Sequence, residues 1–384
     1  MKDHLISIVL ILMTFSLIAQ DQDIPLAANK AYDSGDYALA FDLFNQCITA
    51  DSTVLSHHEK LGLSAYRMGM LAQPKQAFSH VISIDTFNQL SLTQLASIYE
   101  KEGNTPKAVK YYTQLIKYYP DNAIYNRKLA QNYAKAGAII DAFRHYNAAH
   151  KLNPNDIFSI KGISEIFLQN QQYEDADILL NKGLTLDTTN IDLHQLLARS
   201  KYKQKDYDST IYYLKQINGR VDLSPYFNKL LGYSLIQIDS FEQSIFYLQK
   251  ALSDNGNKEY VHDYLATAYD NLDDELNSEH HYTKALEEGI SPNIAIYHKS
   301  LAKINNDRNK LREAIDHYRD AYRYDEDPVL LFYLGRASDV YYKDKNIAVN
   351  YYKRYTKSSH DNDEYKRYAL SRANTLLEFI HQSK

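Results

Sequence analysis

This 384-residue chain predicts an all-α fold, a right-handed α-solenoid of helix-turn-helix repeats closed by a C-terminal capping helix, on three observations. A small residue recurs every 34 positions, at Ala28, Gly62, Ala96, Ala130, Ser164, Ala198, Gly232 and Ala266, then after two extra residues at Ala302, and finally at Gly335. With that residue numbered 8 in each repeat, position 20 is also small: Ala40, Pro74, Ala108, Ala142, Ala176, Thr210, Ser244, Ser278 and Ala314, with Ala348 one residue late. Position 24 is a large knob: Phe44, Phe78, Tyr112, Tyr146, Leu180, Leu214, Leu248, Tyr282, Tyr318 and, with the same slip, Tyr352. Small residues facing large ones at helical spacing let two helices pack closely, and a period of this length marks stacked supersecondary repeats. Each repeat then buries its apolar face only against its neighbours, which yields an extended surface instead of one cleft.

The elements follow in chain order. Residues 1–19 stand apart, with Lys2 followed by an apolar run from Leu5 to Ala19 that only Ser7, Thr14 and Ser16 interrupt. This is the pattern of a secretory signal peptide, cleaved after Ala19, and the run is short of the roughly 20 residues a membrane span needs. Retention of the segment as an anchor is the alternative. No second apolar stretch of that length follows, so no membrane span is expected in the mature chain. Ten repeats then cover 21–355, at about 21–54, 55–88, 89–122, 123–156, 157–190, 191–224, 225–258, 259–294, 295–327 and 328–355. Within them Ser34-Gly35-Asp36, Glu102-Gly103-Asn104 and Lys135-Ala136-Gly137 split a repeat into two helices, and Pro120, Pro154 and Pro292 fall near repeat ends, where a helix must stop. Residues 356–384 form the capping helix, in which Tyr365, Leu370, Ala373, Leu376, Leu377 and Ile380 fall at near-helical spacing to cover the last repeat.

These slots resemble the tetratricopeptide repeat, whose signature runs Trp-x2-Leu-Gly-x2-Tyr, then Ala-x3-Phe, then Pro. The aliphatic position 7, small positions 8 and 20 and large position 24 all match, whereas the chain contains no Trp and carries residues such as Ile24, His58, Leu92 and His194 at position 4. The resemblance implies an interaction scaffold and not an enzyme.

Composition narrows the function further. A formal charge of -5 argues against nucleic-acid binding, which favours a basic balance or stripe. The lone Cys47 sits at position 27, where other repeats carry Val81, Leu115 or Ala149, and reads as a small buried apolar residue. Many of the 35 tyrosines occupy packing slots, among them Tyr99, Tyr133 and Tyr269 at position 11 and Tyr37, Tyr173 and Tyr207 at position 17. Fourteen histidines invite a metal site, but His58, His194, His262 and His298 share position 4, and His145, His281 and His317 share position 23. Equivalent positions of adjacent repeats lie roughly 8–10 Å apart, too far for two imidazoles to share one zinc. The acidic stretch Asp270, Asp273, Asp274, Glu275 and Glu279 lacks the central Gly and ligand spacing of a calcium loop. With no phosphate loop, nucleophile elbow or zinc motif either, neither catalytic residues nor a cofactor are expected.

In the proteins that this sequence resembles, positions 2, 5, 9, 12 and 13 of each first helix line a concave groove. Across the fourth to seventh repeats those positions hold six bases against two acids, Glu165 and Asp192. The candidate partner-binding residues are Arg127, Lys135, Phe158, Lys161, Arg199, Tyr202, Lys203, Tyr226, Lys229 and Tyr233. The eighth to tenth repeats return to mixed charge, with Asp263, Asp270, Lys299, Lys303, Asp307, Arg336 and Asp339. Some relatives clamp a terminal carboxylate with Lys and Asn, an arrangement absent here, where Glu165 follows Lys161 by four residues. The expectation is an exported scaffold, periplasmic or otherwise associated with the cell envelope if the source is bacterial. It would bind an acidic protein or peptide in that groove; a glycan-binding module using the groove tyrosines is the alternative, and an enzyme subunit a more distant one.

Overall fold

The computed structural model describes residues 24–252, 258–289, 292–358 and 363–382. The expected signal peptide at 1–19 lies outside the described residues. The chain divides into two compact halves, Met1–Thr188 and Thr189–Lys384.

The first half holds five helix pairs: α1 (24–33) with α2 (Tyr37–Ala50), α3 (Leu55–Arg67) with α4 (Ala72–Ile84), α5 (Gln89–Lys101) with α6 (Thr105–Tyr118), α7 (Ala123–Lys135) with α8 (Ile139–Leu152), and α9 (Ile157–Gln169) with α10 (Tyr173–Leu186). Its second counterpart holds α11 (Ile191–Lys203) with α12 (Tyr207–Ile217), α13 (Pro225–Ile236) with α14 (Phe241–Ala251), α15 (Lys258–Asn271) with α16 (Glu275–Glu288), α17 (Ile294–Asp307) with α18 (Leu311–Tyr324), and α19 (Pro328–Tyr341) with α20 (Lys345–Lys357). The single helix α21 (Asp363–Gln382) follows. Among the described residues there is no strand, only an isolated bridge between Asn218 and Val221. Within each half the helix-turn-helix repeat makes an all-α solenoid.

The repeat slots are the core. Every residue at positions 8, 20 and 24 is buried, from Ala28, Ala40 and Phe44 at one end to Gly335, Ala348 and Tyr352 at the other. Cys47 lies among them, 4% exposed, and burial pushes its thiol pKa up. Two further slots satisfy the backbone where helices begin. In four repeats position 16 supplies a side chain that caps the second helix, Asp36, Asn104, Asp206 and Asp274, and in four position 34 caps the next first helix, through Asn88, Asn122, Asp156 and Asn190. A short side-chain acceptor is what the orphan N–H groups of a first turn require.

Between the two helices of a repeat, position 15 is left-handed throughout the first nine repeats. Gly35, Gly69, Gly103 and Gly137 fill it at φ +72 to +83°, then Gln171, Lys205, Asp239, Asp273 and Asn309 adopt φ 56 to 62°. In the tenth repeat the first helix runs on to Tyr341 and the connection to α20 contains no left-handed residue. The extra helical residue accounts for the one-residue slip of Ala348 and Tyr352.

Helix α21 covers the last pair. Ala369, Ala373 and Leu376 are buried against Tyr352 and Tyr355, and the Tyr365 ring stacks on Phe332 at 4.3 Å. Leu370, expected on the inner stripe, is 50% exposed instead. The stripe follows i, i+4 spacing from Tyr365 through Ala369 to Ala373, which turns Leu370 outward. Beneath the cap, Asp339 of α19 is almost buried and accepts from Arg372 Nε at 2.7 Å and from Arg372 Nη2 at 3.4 Å, with Lys345 Nζ 3.8 Å away.

Candidate partner-binding face

In the fourth to seventh repeats the first helices turn positions 2, 5, 9 and 13 away from the buried positions 7 and 8, because 3.6 residues per turn places those sets on different sides of one helix, while position 12 is buried at Leu168 and Ile236. The ten residues singled out in the sequence are divided between the two halves.

In the first half the bases are engaged within the fold. Arg127 on α7 donates from Nη1 to Asp156 at 2.7 Å, and its guanidinium lies over the Phe158 ring at 4.8 Å. Asp156 is itself the cap of α9, so this ion pair ties the α8–α9 connection to α7. Lys135 stands 4.0 Å from Glu100, an acid that Lys128 also reaches at 3.2 Å. Lys161 on α9 is half-buried and makes interactions of its own. Phe158 is the exposed member, at 60%.

The second half is different. Arg199 and Lys203 on α11 and Lys229 on α13 make no ion pair among the described residues. Around them stand tyrosines. Tyr202 of α11 meets Tyr233 of α13 edge-to-face at 5.7 Å, and Tyr207, from the start of α12, meets both, at 6.3 and 5.9 Å. Tyr264 of α15 completes the cluster, 4.6 Å from Tyr233. The hydroxyls of Tyr264 and Tyr202 are neighbours, as are those of Tyr233 and Tyr207. Burial, with these neighbouring hydroxyls, pushes the Tyr202 pKa up to about 12, and burial raises Tyr264 and Tyr233 too. Tyr226, at position 2 of the same repeat as Tyr233, is more open, and the nearby Arg199 opposes the rise that its partial burial causes. Burial also lifts the Asp263 carboxyl next to this cluster to about 6, with Glu259 adding repulsion.

Further along the same half, the sequence reading missed a formed concavity. Between α17 and α19 a cavity of about 430 Å³ is lined by Lys299, Lys303 and Arg336, with Tyr318, Tyr333, Ser300 and Asn306, and with Asp307 as its one acid. Lys299 lies 3.4 Å from Asp327 and Lys303 3.8 Å from Asp270, both well exposed, while Arg336 makes no ion pair among the described residues. Buried Tyr318 and half-buried Tyr333 form its floor, stacked at 5.5 Å. The signal was present in the sequence: Lys299, Lys303 and Arg336 hold groove positions 5, 9 and 9, and only the acids around them hid it. Tyr207 was read as a packing residue because it belongs to the second helix. Tyr264, at position 6, lay outside the groove positions. Cations, hydroxyls and ring edges together suit an acidic ligand that also carries apolar groups.

Residues 91–122, one repeat spanning α5 and α6, match the tetratricopeptide repeat family model. No curated protein sequence matches the chain. Among solved structures the chain is similar to a tetratricopeptide repeat protein from Parabacteroides merdae ATCC 43184, at 16% identity and TM-score 0.47 over 65% of this chain and 98% of that one. It is also similar to PilF of Pseudomonas aeruginosa, at 17% identity and TM-score 0.43 over 54% and 94%. A third is YrrB, described as a TPR protein with an unusual peptide-binding site, at 15% identity and TM-score 0.42 over 46% and 91%. A fold of this kind serves protein interaction in general. Residues 91–122 thus carry a tetratricopeptide repeat, set in an array of helix pairs that repeat the same slots.

Proposed function

We propose that the protein is an exported interaction scaffold that holds an acidic, partly apolar peptide segment of a cell-envelope partner on the first-helix face of its second half. The observation that carries this reading is the cavity between α17 and α19, where Lys299, Lys303 and Arg336 converge above the Tyr318 and Tyr333 rings. Its bases are better placed for a ligand than Arg127, whose guanidinium already serves Asp156 and Phe158. The tyrosines at 202, 226 and 233 and the bases at 199, 203 and 229 offer a second stretch of similar chemistry in the same half. Export rests on the apolar run behind Lys2, and N-terminal sequencing of the secreted chain tests it.

Photocrosslinking in the cell from Tyr202 and from Ile296, with Asn350 on α20 as control, identifies the partner. A discrete protein adduct at the first two sites alone supports the face. Reversal of Lys299, Lys303 and Arg336 to Glu should then weaken the captured partner at least tenfold, about 1.4 kcal/mol. Unchanged affinity would remove the cavity from the interface. Raising the salt should weaken binding as well, because exposed ion pairs are screened and ring stacking is not.

A further inference from the structure

Two successive repeats bring histidines from both of their helices into direct contact. In α15–α16 the Nδ1 atoms of His262 and His281 lie 2.9 Å apart, and in α17–α18 those of His298 and His317 lie 2.9 Å apart as well. Each pair joins positions 4 and 23 of one repeat. A comparison of like positions between adjacent repeats, which kept the histidines far apart, overlooks this contact. Two imidazole nitrogens at that separation share one proton: one Nδ1–H donates and the other nitrogen must accept. The fourth repeat fills the same two positions differently, with the His145 Nδ1 3.0 Å from the Asn126 Oδ1. An amide oxygen accepts from a neutral or a charged imidazole alike.

We propose that these histidine pairs make the α15–α18 segment acid-responsive: as the solution turns acid both imidazoles of an opened pair become charged, neither Nδ1 can then accept, the shared N–H···N bond cannot re-form, and the two repeats loosen before α11–α14. The pairs are half-buried or buried, and burial is the main cause that lowers all four imidazoles, His281 to about 4. A histidine lowered in the folded state leaves the opened form to bind protons first. The stability it contributes is therefore present above about pH 6.5, the ordinary histidine value, and drains as pH falls. Around the first pair, His280, Lys284 and Lys258 oppose the extra proton and Glu288 favours it, while Tyr269 stacks on His281 at 5.6 Å. The second pair is faced by Asp316 and Asp320 of α18 and by Glu279 of α16, which favour the proton, with Tyr324 stacked on His298 at 6.0 Å. The α17–α18 pair therefore charges first. Among the described residues no third donor joins either pair in a group that could hold a metal ion.

Amide hydrogen exchange of the full chain at pH 7.5 and 5.0, corrected for intrinsic exchange, tests the device without any partner. Peptides from α15–α18 should lose at least tenfold more protection than those from α11–α14. The His262→Asn/His298→Asn variant, which installs the Asn–His pairing of the fourth repeat, should lose less than half as much. Equal losses in the two segments, or in variant and native chain, would overturn the proposal. Should the variant not fold at pH 7.5, a histidine NMR titration of the native chain decides. Imidazoles at 262, 281, 298 and 317 that all titrate at the ordinary position refute it, and imidazoles that titrate below it, with 298 and 317 first, uphold it.

Discussion

Gly335 of α19 faces Tyr352 of α20 with no room between them: a β-carbon at 335 would stand 2.6 Å from the ring. The same slots bring Gly62 within 2.8 Å of Phe78 and Gly232 within 2.6 Å of Leu248 on that measure. Tyr352 is fully buried and cannot swing away. Gly335→Ala should therefore destabilise the chain by about 1 kcal/mol, an overpacking cost of roughly 1–3 kcal/mol partly offset by the better helix propensity of Ala. Urea denaturation of Gly335→Ala alone and combined with Tyr352→Leu checks this, because the smaller knob should recover most of the loss.

The left-handed turns make a prediction of opposite sign. Gln171 and Lys205 hold φ 61 and 62° without the tolerance of Asn or Asp. Replacing either by Gly should stabilise its half by about 0.5 kcal/mol, after allowance for the greater freedom of Gly in the unfolded chain. Gly137→Ala, at φ 75°, should cost about 1 kcal/mol. Thermal denaturation of the three variants ranks them.

The Arg372–Asp339 contact helps to hold the cap, together with its apolar stripe. Arg372→Met keeps the length of the side chain but withdraws both hydrogen bonds from the nearly buried Asp339. A loss of about 1–3 kcal/mol follows from leaving a charged group short of partners. It should appear first as faster proteolysis within α21, and Arg372→Met combined with Asp339→Leu should reverse it.

Asp263 gives a pH dependence. A carboxyl whose pKa is raised on folding binds its proton more tightly in the folded state, so the stability it contributes is lost as pH rises from about 4 through about 6. Asp263→Asn should therefore stabilise the second half more at pH 8 than at pH 5. Chemical denaturation of the native chain and the variant at both values measures the difference, and an equal effect at the two pH values would contradict the buried-carboxyl account.

The repeat was legible because burial in a stacked-helix fold is periodic. Ala130 and Tyr146 reveal their roles by what stands 34 residues on either side. The site was less legible, because contacts between unlike slots carry it. Arg127 looks free at position 5 until the cap at position 34, Asp156, is seen to take it. Tyr207 and Tyr264 belong to slots outside the groove set yet close around Tyr202 and Tyr233. Likewise His262 and His281 are unremarkable in a comparison of like with like. Leu370 misled for a simpler reason: near-helical spacing fixes a stripe only to within about one residue, and Ala369 holds the inner place.

The paired capping slots have an evolutionary corollary. Where positions 16 and 34 both carry such caps, as Asn104 and Asn122 do, the helix starts are settled from within the repeat or from its immediate predecessor, and removing 34 residues there restores the same caps, knobs and turns. Deletion of 89–122, for instance, leaves Asn88 to cap the helix that begins at Ala123, as Asn122 does now. Gene-level duplication or loss of such a repeat therefore leaves the caps of its neighbours intact, so repeat number within a half can change without redesign of the helix starts.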